Sequence, residues 1–169
     1  MVSSTGSGLP SGVSTGDRTM MRMLVIVCGL PGSGKSHLAA SIITDLQALG
    51  VRALNFEADQ FMIKDGRYFF EPERLAEVHW HCRTSVEDGM KNNAFCIIVS
   101  NTSTREWERD VYRRLAREYH YQIRTIDLFD GGLTDEQLAA RNAHGVPMLT
   151  IQAMRERYQK LIDTPDESL

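Results

Sequence analysis

The stretch "MLVIVCGLPGSGKS", residues 23–36, decides the fold. A short apolar run enters a glycine-rich loop, as a buried parallel strand does. A helix-forming segment follows from about Gly34 to Leu49, closed by Gly50. Gly29, four further residues, then Gly34, Lys35 and Ser36 is the spacing of a phosphate-binding loop (P-loop). A strand before it and a helix after it are the context that makes the motif specific. The glycines let backbone N–H groups curl around a β-phosphate, and the helix N-terminus adds partial positive charge. Lys35 is placed to reach β/γ oxygens, and the Ser36 hydroxyl to hold Mg²⁺. The expected ATP-binding set is Gly29, Leu30, Pro31, Gly32, Ser33, Gly34, Lys35, Ser36 and His37.

From this loop outward the chain alternates strand and helix. "VRALNFE" (51–57), "FCIIVS" (95–100) and "YQIRTIDLF" (121–129) read as further strands. Pro72 opens a helix whose apolar stripe is Leu75, Val78, Cys82, Val86 and Met90. Ser103 with Glu106 has capping-box spacing and starts a helix over about 104–120. Thr134 with Gln137 repeats the device before a short helix that "NAHG" ends. Pro147 begins a last helix with Ile151, Met154, Tyr158 and Leu161 on one side. The expectation is an α/β P-loop NTPase fold: a parallel sheet of four to five strands, helices on both faces and a small helical lid.

Composition bounds the function. A chain of 169 residues, 42% hydrophobic, fits one domain. The Ser/Gly/Thr-rich residues 1–19 read as a disordered tail or added leader ahead of a domain over 20–169, with Met20, Met21 and Met23 as starts. A net charge of −3 argues against a chain-wide grip on nucleic acid while leaving room for a local basic groove. No segment approaches the ~18 apolar residues of a membrane helix. Cys28, Cys82 and Cys96 lack metal spacing and read as thiols of a reducing, cytoplasmic setting. A zinc site from His79, His81 and Cys82 is disfavoured on the same ground.

Ligands of parallel sheets lie at the strands' carboxyl ends, so those ends hold the remaining candidates. "FEADQF" offers Asp59 as a base for an attacking hydroxyl, or as an N-cap, with Glu57 as the weaker competitor. "IIVSNTSTREW" carries no carboxylate at its end, only Ser100 and Asn101. A motor or hydrolysing switch is disfavoured by that gap. Asn101, Thr102 and Arg105 are the acceptor-binding candidates, against a plain loop-capping role. Leu138 and Ala139 give the short helix little to bury, so it is expected to lie over the site as a lid. Its Arg141 would neutralise a transferring phosphoryl group, or else be a solvated surface arginine. Arg105, Arg109, Arg113 and Arg117 recur every four residues opposite Trp107, Val111, Leu115 and Tyr119. That row could track a phosphate backbone, or form an ordinary helix face among Glu106, Asp110 and Glu118.

In order and spacing, "GLPGSGKS", "EADQFMIKDGRYFFEPERLAEVH", "IIVSNTSTREWE" and "ARNAHGVP...MRERY" resemble the polynucleotide-kinase-like P-loop kinases. That group includes phage 5′-hydroxyl polynucleotide kinases, kinase-like domains of animal ubiquitin-ligase-binding proteins and relatives of zeta toxins. The resemblance covers about 23–161 and implies Asp59 as general base and Arg141 as lid arginine. Asn101 stands where the phage kinases carry an aspartate, and Met62 where they carry an arginine that contacts the acceptor phosphate. The sequence-level reading is thus an ATP- and Mg²⁺-dependent kinase with Lys35, Asp59 and Arg141 as catalytic residues and a nucleic-acid 5′-hydroxyl as acceptor. A nucleoside, a hydroxymethylated base in DNA or a small metabolite is the second acceptor class. A non-catalytic ATP-binding module is the rival of another class. The compact chain suits a phage or bacterial gene.

Overall fold

The structure is a computed structural model that describes residues 21–160. The expected tail over 1–19, and Leu161 of the last stripe, lie outside the described residues. In chain order the elements are β1 (Met23–Cys28), α1 (Lys35–Ala48), β2 (Ala53–Phe56), a 3₁₀ turn (Ala58–Met62), β3 (Ile63–Lys64) and β4 (Arg67–Tyr68). There follow α2 (Leu75–Lys91), β5 (Cys96–Val99), α3 (Glu106–Glu118), β6 (Gln122–Asp127), α4 (Asp135–Arg141) and α5 (Met148–Glu156). Four strands form one all-parallel sheet in the order β2-β5-β1-β6.

β1 and β5 are buried along almost their whole length, which is why both read as unbroken apolar runs. The val, leu and ile side chains on one face (Leu24, Ile26, Ile97 and Val99) pack with Val78, Cys82, Val86 and Met90 of α2 and Tyr112 and Ala116 of α3. Val25, Val27 and Ile98 on the other face pack with Ala39, Leu38 and Ile42 of α1. Helices on both faces and four parallel strands match the expectation. The connection leaving β1 runs to one side of the sheet and that leaving β5 to the other. Their neighbouring carboxyl ends therefore open the crevice in which a ligand of such a sheet sits.

Several elements differ from the reading of the sequence. The box expected at Ser103 and Glu106 forms two residues later: the Glu108 carboxylate accepts from the Arg105 backbone N–H at 2.7 Å, and α3 begins at Glu106. Ser103 is instead in the left-handed region at φ 42°, turning the chain out of the sheet. The hairpin of β3 and β4 was not among the expected elements; its turn is Asp65-Gly66, a residue pair that tolerates two successive positive φ values, here 50° and 75°.

The small helix α4 is also seated otherwise than expected. Leu138 is fully buried with Leu30 of the P-loop and Ile151 of α5. Burying a leucine stabilises by about 1.5–3 kcal/mol, so α4 is anchored to the loop itself. Gly32 records the closeness: a Cβ there would lie 2.3 Å from the Leu138 carbonyl oxygen.

Candidate active site

Residues 29–36 turn between β1 and α1 with Gly29, Gly32 and Gly34 all at positive φ. The Leu30 N–H donates to the Phe129 carbonyl at 2.7 Å and the Gly29 N–H to that of Thr102 at 3.3 Å, tying the loop to the β6 and β5 ends. The cradle fits a phosphate on three observations. A Cβ at Gly34 would meet nothing within 4 Å, so the backbone is open there. The Ser33 hydroxyl is buried without a hydrogen-bond partner. The buried Lys35 ammonium has folded back to donate to the Leu30 carbonyl at 2.9 Å. Burial lowers its pKa from 10.5 to about 8, against the pull of Asp59 and Glu57.

The carboxylate missing from the end of β5 arrives from β2. Ser36 Oγ donates to Glu57 Oε2 at 3.0 Å, while Ser100 Oγ donates to Glu57 Oε1 at 2.7 Å and Asn55 Nδ2 to the same oxygen at 3.1 Å. Glu57 thus stands beside the P-loop serine, held from β5. The absence of an acid at the β5 end is therefore no argument against a metal grip, since Glu57 stands beside Ser36. The signal was the strand order: β2 pairs with β5, so a residue just past β2 is a neighbour of Ser100.

Asp59 lies within the 3₁₀ turn rather than capping it; Glu57 occupies the cap position. Tyr68 from the hairpin donates its hydroxyl to Asp59 Oδ1 at 3.2 Å, and His144 Nε2 lies 3.5 Å from Oδ2. Burial, then the Asp59 charge, pushes Tyr68 up to about 12, so it remains a protonated donor. The Tyr68 and His144 rings are 4.3 Å apart. Neither residue was singled out in the sequence: "NAHG" reads as a helix terminator, and only the fold brings it across to position 59.

These groups line a cleft of about 800 Å³ that also holds His37, Thr102, Arg141 and Arg157. That is within the range of small-ligand sites, about 300–1,000 Å³. Arg141, the last residue of α4, is exposed at its wall. Asn101 is buried with both ends of its amide engaged: Oδ1 accepts from the Ala58 N–H at 2.8 Å and Nδ2 donates to Tyr112 Oη at 3.2 Å. It fixes the backbone next to Asp59. Arg105 is exposed and lines neither this cleft nor its neighbour. Met62 is buried in the core and lines neither this cleft nor the smaller cavity beside it.

The arginine row on α3 is not a free basic face. Arg109 is fully buried and donates to the carbonyls of Ser103 and Gln159 at 3.2 and 2.7 Å. Arg113 is bound to Glu106 and Asp110. Trp107, read as lying opposite the row, is 63% exposed. Cys82 lies on the buried face of α2 and receives hydrogen bonds from Tyr112 and Asn101, while His81 stacks with Phe61. Among the described residues no cluster of three or more His, Cys, Asp or Glu is set to hold a metal. No described helix is long and apolar enough to cross a membrane.

Comparison with known proteins places this geometry. A family model described as AAA domain matches residues 24–161. The chain belongs to this AAA domain family. Human NEDD4-binding protein 2 is 30% identical over 145 residues, 85% of this chain. The match spans only 8% of that relative's length. Among solved structures, the Mycobacterium tuberculosis APS kinase CysC in complex with AMPPNP and APS superposes with a TM-score of 0.59 at 18% identity, covering 88% of this chain and 91% of that one. A chain of the Pnkp1/Rnl/Hen1 RNA repair complex gives 0.59 at 20% identity, covering 84% of this chain and 45% of that one. At such identities these two likenesses concern the fold. In this AAA domain the glycine-rich cradle, the acids Glu57 and Asp59 and Arg141 line one cleft at one end of the sheet.

Proposed function

We propose that this AAA domain transfers the γ-phosphoryl group of ATP to a hydroxyl, with a nucleic-acid 5′-hydroxyl as acceptor. One observation carries the reading: a carboxylate braced by two side chains, Asp59, stands in the same cleft as Lys35 and Arg141. A nucleotide-binding module without chemistry has no use for that braced carboxylate. The fold is also shared with a kinase solved with AMPPNP and with a component of an RNA repair complex.

In this mechanism the P-loop amides and Lys35 hold the β- and γ-phosphates. Asp59 accepts the proton of the acceptor hydroxyl as its oxygen forms the new bond to phosphorus, and the bond from phosphorus to the β-bridging oxygen breaks, releasing ADP. Tyr68 and His144 keep the carboxylate aimed. Arg141 compensates charge on the transferring group. Ser36 and Glu57 offer the hard oxygen donors that would hold Mg²⁺. When bound, that ion supplies charge neutralisation at the phosphates.

The buried Met62 favours a second acceptor class, a nucleoside, a hydroxymethylated base or a metabolite, because no arginine at that position meets an acceptor phosphate. The test is transfer of label from γ-phosphate-labelled ATP across 5′-hydroxyl oligonucleotides, hydroxymethylated DNA, nucleosides and sugars. Labelled oligonucleotide is the expected product. No labelled product in any class would leave only nucleotide binding.

A further inference from the structure

Beside the catalytic cleft lies a second cavity of about 440 Å³, between the N-terminal halves of α2 and α3. The two share Leu75, His79, Asn101, Ser103 and Glu108, so one opens directly into the other. Its walls carry Trp80 from α2 and Trp107 from α3, the only tryptophans in the chain. They are 51% and 63% exposed. An indole left in water on a small domain forgoes burial and marks a contact surface. Arg83, exposed, and His79 lie on the same α2 wall. The cavity's one carboxylate, Glu108, is already occupied at the start of α3 by the Arg105 N–H and the Thr104 hydroxyl.

We infer that this second cavity is a base-stacking subsite for the single-stranded end of a nucleic acid whose 5′-hydroxyl is presented to Asp59. Flat aromatic walls, a cation nearby and no free acid are what binds unpaired bases without reading their sequence. The route between the cavities passes Asn101 and Ser103, so the nucleotides following the reacting one run past them to Trp80 and Trp107. The subsite also supplies what Met62 and the arginine row of α3 do not: contact with the acceptor beyond its reacting hydroxyl. Binding through base faces rather than phosphates suits a chain of net charge −3. The inference rests on the kinase reading for the acceptor's direction, not for the binding itself.

With both tryptophans in the cavity, tryptophan fluorescence, excited where tyrosine does not absorb, reports on it. The experiment titrates a 5′-hydroxyl oligothymidylate of about eight nucleotides into the protein, within the usual site sizes of single-strand binders. An abasic oligomer of the same length and charge is titrated in parallel. Quenching by the base-bearing strand and none by the abasic one is expected. Trp80→Leu and Trp107→Leu are each expected to weaken binding about 5- to 150-fold. Trp80→Phe and Trp107→Phe keep a stacking ring, recover most of the affinity and leave one reporter apiece. Thermal unfolding of each variant confirms the fold. Equal binding of both oligomers, or unchanged affinity in both leucine variants, overturns the inference. Quenching without label transfer keeps the subsite and removes the kinase reading; transfer to a sugar with no quenching by oligonucleotides keeps the kinase and removes the subsite.

Discussion

On the proposed reading, the donor and acceptor sides of the cleft are built in opposite ways. The donor side is eight consecutive residues, 29–36, whose work is done by backbone amides, glycine conformations and one lysine. The acceptor side is assembled from six segments: Glu57 and Asp59 after β2, Tyr68 on the hairpin, Asn101 after β5, Arg141 and His144 around the end of α4, and the walls of α2 and of α3. A local device keeps its spacing wherever the fold occurs. An assembled one depends on strand order and on how each helix is seated, and so is free to change acceptor while the donor stays the same.

After substitution of Asp59 itself, the largest expected effect tests the donor side. Lys35→Ala removes the charge that follows the phosphoryl group and should lower turnover by about 10²–10³-fold, read by steady-state label transfer. Glu57→Gln probes the joint between the sides. If Glu57 holds the metal with Ser36, the Mg²⁺ concentration for half-maximal rate should rise about 10–100-fold while binding of nucleotide without Mg²⁺ changes little. An unchanged Mg²⁺ requirement would make Glu57 a brace for Ser100 only.

Lys35 also makes the donor side sensitive to pH. Its folded pKa of about 8 lies below the 10.5 of the free side chain, so between those values the unfolded chain holds the extra proton and stability of the nucleotide-free protein rises with pH. Phosphates favour the charged form, so nucleotide binding takes up a proton there and weakens as pH climbs past about 8. Calorimetry in two buffers of different ionisation enthalpy reads that uptake directly. The smallest effects separate two arginines four residues apart. Arg109→Met leaves buried carbonyls of Ser103 and Gln159 unpaired and should cost about 1–3 kcal/mol in urea unfolding. Arg105→Ala, exposed and outside both cavities, should stay within about 0.5 kcal/mol and keep full transfer.

This contrast also explains what could be read from the sequence. The parallel sheet, its helices and the P-loop follow from periodicity and short-range motifs, and their bounds fell within a few residues. Helix α3 is shifted because Glu108, not Glu106, makes the cap, and its partner is Arg105, a residue the pattern S/T-x-x-E does not pick out. Glu57 was ranked below Asp59, and Tyr68 and His144 were not singled out, since their contacts arise only from the pairing of β2 with β5, from the β3–β4 hairpin and from the turn after α4. Of the two readings of the arginine row, the acid-paired helix face is the one seen at Arg113, while spacing does not reveal that Arg109 is buried and bonds to carbonyls from two other segments.

The central claim is that Asp59 is the base of a phosphoryl transfer, and one paired measurement tests it most directly. Nucleotide affinity and label transfer to a 5′-hydroxyl oligonucleotide are compared in the wild-type chain and in Asp59→Asn, which keeps an acceptor for the Tyr68 hydroxyl. Unchanged ATP affinity with transfer reduced about 10²–10⁴-fold is the result this account predicts. Transfer retained at the wild-type rate, with affinity also unchanged, would contradict it.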